Sequence, residues 1–222
     1  MATWDYLFVD ETGDPGDGSG DSSDYYGMSL LHITDDAFDR VLEHLTNLRY
    51  HRGLTRELRL KPVKRKGGVW EFGKLLEGIK ALASHDVVFA SSVYLVKDRY
   101  TGPYLKDSSP HGKNPIWFRN FVLRHLLEFH FADCKPRTQQ IDLVVDRFEL
   151  SRDGRINLEE YIQNNYNLPP IKHITHAASL YVEVLQAVHH LSTVLKVVAT
   201  GEAPPDLLEL LSFVRLKDIT SL

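Results

Sequence analysis

The stretch from Tyr6 to Glu11 constrains the fold of this chain more than any other. Four large apolar residues, Tyr6–Val9, run without a polar residue between them and lead into Asp10, Glu11 and a Gly/Pro-rich turn. An apolar run bounded by such a turn predicts a strand that is buried on both faces. A strand of this kind brings its terminal carboxylates to the edge of a sheet, where open α/β sheets bind ligands and metals. Asp10 could instead simply cap the turn, since Asp and Gly are ordinary turn residues.

The order of the remaining elements predicts a mixed α/β fold. Apolar and β-branched runs predict strands, and apolar residues at helical spacing predict helices. The predicted strands are Tyr6–Asp10, Tyr25–Ile33, Val87–Val96, Ile141–Asp146 within the segment Gln140–Phe148, and Ile171–Thr175. The predicted helices are Asp35–Leu48 with Thr34 as its N-cap, Val69–Ser84, Pro115–Asp133, Leu158–Asn164, Ser179–Ala199 and Asp206–Val214. Antiparallel strands followed by helical crossovers indicate one α/β domain over residues 1–200, with a C-terminal helical extension over 201–222.

Composition excludes several classes of protein. The chain has 222 residues, a formal net charge of -4 and one cysteine, Cys134. A single cysteine excludes an intrachain disulfide and a cysteine-rich zinc site. The first residues carry no basic signal region, and no apolar run approaches the length of a membrane span. We therefore expect a cytoplasmic protein with no membrane partner, and its overall charge gives no general attraction to nucleic acid.

Three acidic residues are candidates for a cation site. Asp10 and Asp146 each end a predicted strand, and Glu57 lies between those strands in the chain. If the strands pair in one sheet, we expect Asp10 and Asp146 to meet at the same edge. Mg²⁺ binds a few carboxylates and keeps several waters, and two such ions can clamp a phosphoryl group during in-line displacement. Each acid could instead be a solvated loop residue, and Asp146 could pair with Arg147.

A basic segment surrounds Glu57. Its cations are Arg52, Arg56, Arg59, Lys61, Lys64, Arg65 and Lys66. Lys and Arg side chains neutralise phosphates, and the local charge stands out against an acidic chain, so the segment predicts a nucleic-acid contact. A solvated surface loop is the alternative, because that is the commoner place for a run of charges.

Four short motifs resemble those of the domain of unknown function 3800 family over nearly the whole chain. Asp10-Glu11-Thr12-Gly13-Asp14 resembles the family's Asp-Glu-Ser-Gly-Asp signature, with Thr for Ser. Glu57-Leu58-Arg59 resembles its Glu-apolar-Lys/His element, and Val144-Val145-Asp146-Arg147 its strand ending in Asp-Arg. Leu185-Gln186-Ala187-Val188-His189 matches its Leu-Gln-x-Ala-Asp helix motif, but His189 stands where the family has Asp.

The resemblance implies a ribonuclease-H-like fold, with a mixed sheet flanked by helices, and nuclease activity at an acidic two-metal site. The resemblance implies that Asp10, Glu57, Asp146 and His189 bind Mg²⁺ or Mn²⁺ directly. Glu11 would then contact these ligands and not the metal ion itself. Gln186 lies three residues before His189, on the same helical face. His189 could equally be a buried core residue, as a His in an apolar helix often is. Two alternatives remain on the same fold: a catalytically silent nucleic-acid-binding protein and a small-molecule phosphohydrolase.

Overall fold

A computed structural model describes residues 4–16, 22–51, 72–138, 140–146, 152–164 and 167–222. Glu57 and the basic segment lie outside these ranges. Six strands occur in the described chain: β1 (Asp5–Gly13), β2 (Tyr25–Thr34), β3 (Val88–Val96), β4 (Ile141–Asp146), β5 (Ile171–Ala177) and β6 (Val214–Asp218). The helices found there are α1 (Asp35–His51), α2 (Gly73–Ala83), α3 (Pro115–Asp133), α4 (Arg152–Gln163), α5 (Glu183–Ala199) and α6 (Pro205–Leu210), with a 3₁₀ turn at Ser179–Tyr181.

The strands form one mixed sheet in the order β5-β4-β1-β2-β3-β6. The first three strands are antiparallel neighbours, which confirms the predicted opening hairpin. β4 lies parallel to β1, β5 lies parallel to β4, and β6 lies parallel to β3. The predicted α/β class, a mixed sheet flanked by helices, is confirmed, and this arrangement is consistent with a ribonuclease-H-like fold.

Helices cover both faces of the sheet and enclose two apolar cores. One core packs Phe8 against α1, α2, α5 and α6. The other packs Leu7 and Val9 against α3 and α4. Because successive side chains of a strand point to opposite faces, β1 contributes alternately to the two layers. This alternation decides where the carboxylates that follow Val9 are placed.

Local sequence accounts for the sharpest helix boundary. Pro115 occupies the first turn of α3, where its missing N–H costs nothing, and Asn114 accepts a hydrogen bond from the Trp117 N–H at 3.2 Å. The predicted helix Pro115–Asp133 is therefore confirmed at both ends. No helix in the described part of the chain is long and apolar enough to cross a membrane.

Several boundaries differ from those predicted. β1 continues through Gly13 instead of ending at Asp10, because Glu11, Thr12 and Gly13 keep pairing with β2. α4 begins at Arg152, ahead of the predicted Leu158. The predicted helix Asp206–Val214 is wrong at its end: α6 stops at Leu210, and Val214–Asp218 adds an edge strand beside β3. The segment 201–222 is thus only partly helical and extends the sheet.

Candidate functional site

Asp10 and Asp146 meet at one edge of the sheet, as expected from the sequence. Their strands run parallel, and Val9 pairs with Val145 at the last position of the register. The two acids follow this pair on strands that lie about 4.8 Å apart. Both continue the alternation of Phe8 and Val144, so both face the layer that contains α5. The parallel pairing of β1 with β4 thus places two carboxylates side by side.

α5 places His189 directly against this pair. The His189 Nδ1 atom lies 2.8 Å from Oδ2 of Asp10. The Asp10 side chain is 5% exposed and that of His189 is 53% exposed, so the carboxylate is buried behind an accessible imidazole. An ionised carboxylate can only accept hydrogen bonds, so Nδ1 carries the proton of this bond. The buried acid therefore fixes the tautomer of an accessible base.

Further contacts hold Asp10 in place. Its Oδ1 atom accepts the Glu11 N–H at 2.7 Å, and its backbone carbonyl accepts the Ser192 hydroxyl at 3.0 Å. Burial raises the pKa of Asp10, the hydrogen bond and charge of His189 lower it, and the nearby Asp146 raises it, with a net increase. The influence of Asp146 on this pKa shows that the two carboxylates share one electrostatic environment.

The 3₁₀ turn before α5 holds Asp146. The Ser179 N–H donates to Oδ1 of Asp146 at 2.9 Å, and the Gln186 side-chain amide donates to the Ser179 carbonyl at 2.9 Å. Gln186 is 3% exposed. Gln186 was singled out in the sequence because it shares a helical face with His189. The structure shows that it braces the turn that contacts Asp146.

Glu11 faces the opposite side of the sheet from Asp10. It accepts two hydrogen bonds from Arg119 of α3, at 3.1 and 3.2 Å, and a short one from the Tyr26 hydroxyl. Burial raises the pKa of Glu11, and Arg119 and Tyr26 only partly offset that effect. The structure therefore separates the two adjacent acids, and Glu11 joins β1 to α3. Arg119 had no signal in the sequence, because its partner depends on the three-dimensional packing.

The last acid of the opening motif, Asp14, organises the β1–β2 loop. Its carboxylate accepts the backbone N–H groups of Gly16 at 2.7 Å and Ser23 at 2.6 Å, and the Ser22 hydroxyl at 2.7 Å. The fully buried Lys97 places its ammonium 3.4 Å from the same carboxylate. Burial alone would raise the pKa of Asp14, but these hydrogen bonds hold it well below its usual range. Asp14 thus joins the two described ends of this loop.

A second buried polar chain lies at the other end of the sheet. Asp5 contacts His32 at 3.2 Å, His32 contacts His130 at 3.0 Å, and His130 contacts the Ser91 hydroxyl at 2.9 Å. All four residues are fully buried. Burial, His32 and Arg215 lower the pKa of His130 well below its usual range. Because none of the four reaches solvent, the chain connects β1, β2, β3 and α3 as a structural network.

The structure therefore brings together Asp10, Asp146, His189 and Gln186 from the residues predicted by sequence. Glu57 and the basic residues Arg56, Arg59, Lys61, Lys64, Arg65 and Lys66 lie outside the described ranges. Within those ranges, no three His, Cys, Asp or Glu side chains are grouped closely enough to hold a metal ion by themselves. Ser179 holds the Asp146 carboxylate and Ser192 holds the backbone carbonyl of Asp10, and the sequence pointed to neither serine.

No protein-family model matches this chain, and no curated protein matches it. The resemblance to the domain of unknown function 3800 family stays a prediction from the four motifs.

Proposed function

We propose that this chain is a Mg²⁺- or Mn²⁺-dependent nuclease that hydrolyses phosphodiester bonds of DNA or RNA. The observation that carries the proposal is the pairing of Asp10 and Asp146 at one sheet edge with His189 bonded to Asp10. Two adjacent carboxylates and an imidazole are a donor set for hard and borderline cations. The cytoplasmic location and the nucleic-acid partner expected from the sequence belong to the same proposal.

The carboxylates of Asp10 and Asp146 are chemically suited to bind a divalent cation. Among the described residues, each oxygen of Asp10 accepts one hydrogen bond, and a carboxylate oxygen has two lone pairs, so each oxygen has a further lone pair for a ligand. The neighbouring charge of Asp146 raises the pKa of Asp10, and a bound cation would relieve that repulsion. Asp10 and Asp146 would hold the ion, with Glu57 and His189 as the further ligands predicted by sequence. When bound, the ion supplies electrophilic activation of the phosphate and of the attacking water.

The protein groups have separate tasks in this scheme. Asp10 orients the His189 ring and stabilises it if it takes up a proton. The His189 side chain is half exposed, so the ring can bind a ligand or accept a proton from water. Asp146 is fixed by Ser179 and therefore presents its carboxylate without rearrangement. The basic segment is proposed to contact phosphates.

Cleavage assays on single- and double-stranded DNA and RNA test the proposal. Asp10→Asn and Asp146→Asn should each lower activity at least 100-fold, and chelation of divalent ions should abolish it. Asp142→Asn is the matched control, because Asp142 lies on the same face of β4 and contacts His173 instead, at 2.7 Å. Its activity should stay within about twofold of the native chain. Cleavage that survives chelation, or that survives Asp10→Asn, would overturn the proposal.

The His189→Asp variant tests the role of the imidazole. Native activity should be higher with Mn²⁺ than with Mg²⁺, since imidazole suits Mn²⁺ better, and it should fall on acidification because a protonated ring has no lone pair. His189→Asp should shift the preference towards Mg²⁺ and remove the imidazole-dependent acid limb. An unchanged metal preference would show that His189 is not a ligand.

The basic segment has its own test. Replacing Arg59, Lys61, Lys64 and Arg65 by Ala should weaken nucleic-acid binding and flatten its salt dependence by about one unit of slope per lost contact. An unchanged slope would identify the segment as a solvated loop.

A catalytically silent nucleic-acid-binding protein is the second candidate. The contact that favours it is the same His189–Asp10 hydrogen bond, because the imidazole occupies one side of the carboxylate that a cation would otherwise use. This candidate predicts binding without cleavage in the native chain and no activity gained by His189→Asp alone. Hydrolysis of a small phosphomonoester, with no activity on polynucleotides, would instead identify a phosphohydrolase.

A further inference from the structure

Four aromatic side chains contact one another in a row that runs from the β3–α3 loop to α4. We name this group the aromatic row, and its members are His111, Tyr104, Trp117 and Tyr161. The rings of His111 and Tyr104 stack at 5.4 Å, and those of Tyr104 and Trp117 at 6.1 Å. The Tyr161 ring meets Trp117 edge-on at 5.9 Å. None of the four residues is fully buried, so the row is in contact with solvent.

Two members of the row have an unfavourable backbone. Tyr104 has φ +70° and His111 has φ +68°, in the left-handed region that large side chains rarely adopt. Two backbone hydrogen bonds hold the loop in this form, from the Tyr104 N–H to Pro110 at 3.2 Å and from the Asn114 N–H to Tyr104 at 2.8 Å. Strained residues of this kind concentrate at functional sites. Here the strained backbone holds two rings in one stack.

A polar pocket of about 480 Å³ adjoins the row between α3 and α4. Trp117 and Tyr161 line it together with Arg124, Asn157 and Asn164, and this volume is typical of small-ligand sites. The Arg124 guanidinium lies 5.5 Å from the centre of the Tyr161 ring, and its Nε atom is buried without a hydrogen-bond partner among the described residues. Asn157 is held by a 2.8 Å hydrogen bond from Asn120.

These groups match the chemistry of a nucleobase. Aromatic faces and guanidinium planes stack on bases, and primary amides both donate to and accept from base edges. Glu160 lines the same pocket, and a Glu128 carboxylate oxygen lies 3.7 Å from Arg124 Nε, so the pocket has no excess positive charge that would select a phosphate alone. The row lies on the α3–α4 side of the sheet, which is the side that Glu11 faces through its hydrogen bonds from Arg119.

We propose that the aromatic row and its pocket bind single-stranded nucleic acid, with one unpaired base held in the pocket between α3 and α4. The inference deepens the proposed function and rests on it for the choice of substrate. It narrows that substrate to strands with unpaired bases, because stacked bases inside a duplex cannot reach aromatic faces.

Binding measured apart from cleavage tests the inference. Fluorescence anisotropy of labelled 12-nucleotide single strands and duplexes, in chelator and on the Asp10→Asn background, removes any contribution from hydrolysis. Trp117→Ala and Tyr161→Ala should each weaken single-strand binding roughly tenfold or more, as expected for loss of one stacked base. Trp117→Phe keeps a stacking face and should stay within about threefold. Trp4→Ala is the matched control, because Trp4 stacks on His173 away from the row, and it should bind normally.

Each outcome decides the inference. Tenfold losses in the two Ala variants, with rescue by Trp117→Phe and unchanged thermal unfolding, would support it. Competition by adenosine monophosphate would show that a free nucleotide fills the pocket by the same base chemistry. Equal affinity for duplex and single strand, native binding by Trp117→Ala, or displacement by oligosaccharides would overturn it. Binding that persists while the native chain cleaves nothing would refute the proposed nuclease and leave this inference standing.

Discussion

Removing the Arg119 guanidinium should expose the energetic role of the Glu11 pair. The two side chains are joined by two hydrogen bonds and are only 17% and 18% exposed. Taking away one partner of a buried pair leaves an uncompensated charge and costs about 3–5 kcal/mol. Because both groups retain some contact with water, we expect Arg119→Met to lower the free energy of unfolding by about 3 kcal/mol at pH 8. In a chain of this size that loss corresponds to roughly 6–12 °C in Tm.

The stability lost in Arg119→Met should depend on pH. Burial already raises the pKa of Glu11 in the folded state, and Arg119 opposes that rise. Without Arg119 the folded carboxyl binds its proton more tightly than the unfolded one, so the variant is stabilised at low pH and this stabilisation disappears as pH rises through the folded pKa. The difference between native and variant proteins should therefore grow from pH 5 to pH 8.

Urea unfolding followed by circular dichroism at both pH values measures this difference. The double variant Glu11→Gln/Arg119→Met removes both charges and keeps an acceptor for the Tyr26 hydroxyl. It should recover more than half of the stability lost in Arg119→Met. A loss below about 1 kcal/mol in the single variant, or effects that add in the double variant, would show that the pair is not energetically coupled.

Three further changes give distinct results in urea unfolding. Gly13→Ala should lower the free energy of unfolding by roughly 2–4 kcal/mol, because Gly13 has φ +79° and an added Cβ would lie 2.4 Å from the Tyr25 carbonyl oxygen. The control is Gly112→Ala, where φ is +71° but the added Cβ would meet no atom within 4 Å, and it should cost about 1 kcal/mol. The pKa of His130 is lowered in the folded state, so the unfolded chain binds an extra proton below about pH 6.5. The free energy of unfolding of the native chain should therefore fall on acidification by up to about 1.4 kcal/mol per pH unit more than that of His130→Gln. Equal slopes in the two proteins would refute this prediction. Gln186→Ala removes the hydrogen bond to the Ser179 carbonyl, so it should lower the free energy of unfolding by about 1–3 kcal/mol and reduce any cleavage activity. Unchanged stability and activity would show that this hydrogen bond to the turn before α5 is dispensable.

Strands with uniform apolar runs could be predicted from the sequence, since both faces of the sheet are covered. The meeting of Asp10 with Asp146 followed from two such runs that each end in Asp. Glu11 was harder to place, because the Gly/Pro turn signal ended the predicted strand too early. Once β1 is seen to continue to Gly13, the two-residue period of a strand requires Asp10 and Glu11 to face opposite layers.

Contacts between distant elements could not be predicted in the same way. Arg119 reaches Glu11 only because α3 packs across β1, and nothing near Arg119 in the sequence carries that information. β6 was missed for a different reason. Leu207, Leu211 and Val214 have helical spacing, yet Val214 is taken into the sheet by pairing with β3, so tertiary packing overrides the local pattern.

The parallel pairing of β1 with β4 also sets the order in which the site can assemble. Asp10, Asp146 and His189 come from the beginning, middle and late parts of the chain, so their approach requires the closure of long loops. Contacts of such wide sequence separation form slowly, because the entropy of loop closure is lost before the contacts compensate for it. A growing chain can form the β1–β2–β3 meander early, but the carboxylate–imidazole pair exists only after α5 has been synthesised and docked. Partly synthesised chains should therefore lack the assembled site even where their first strands are already folded.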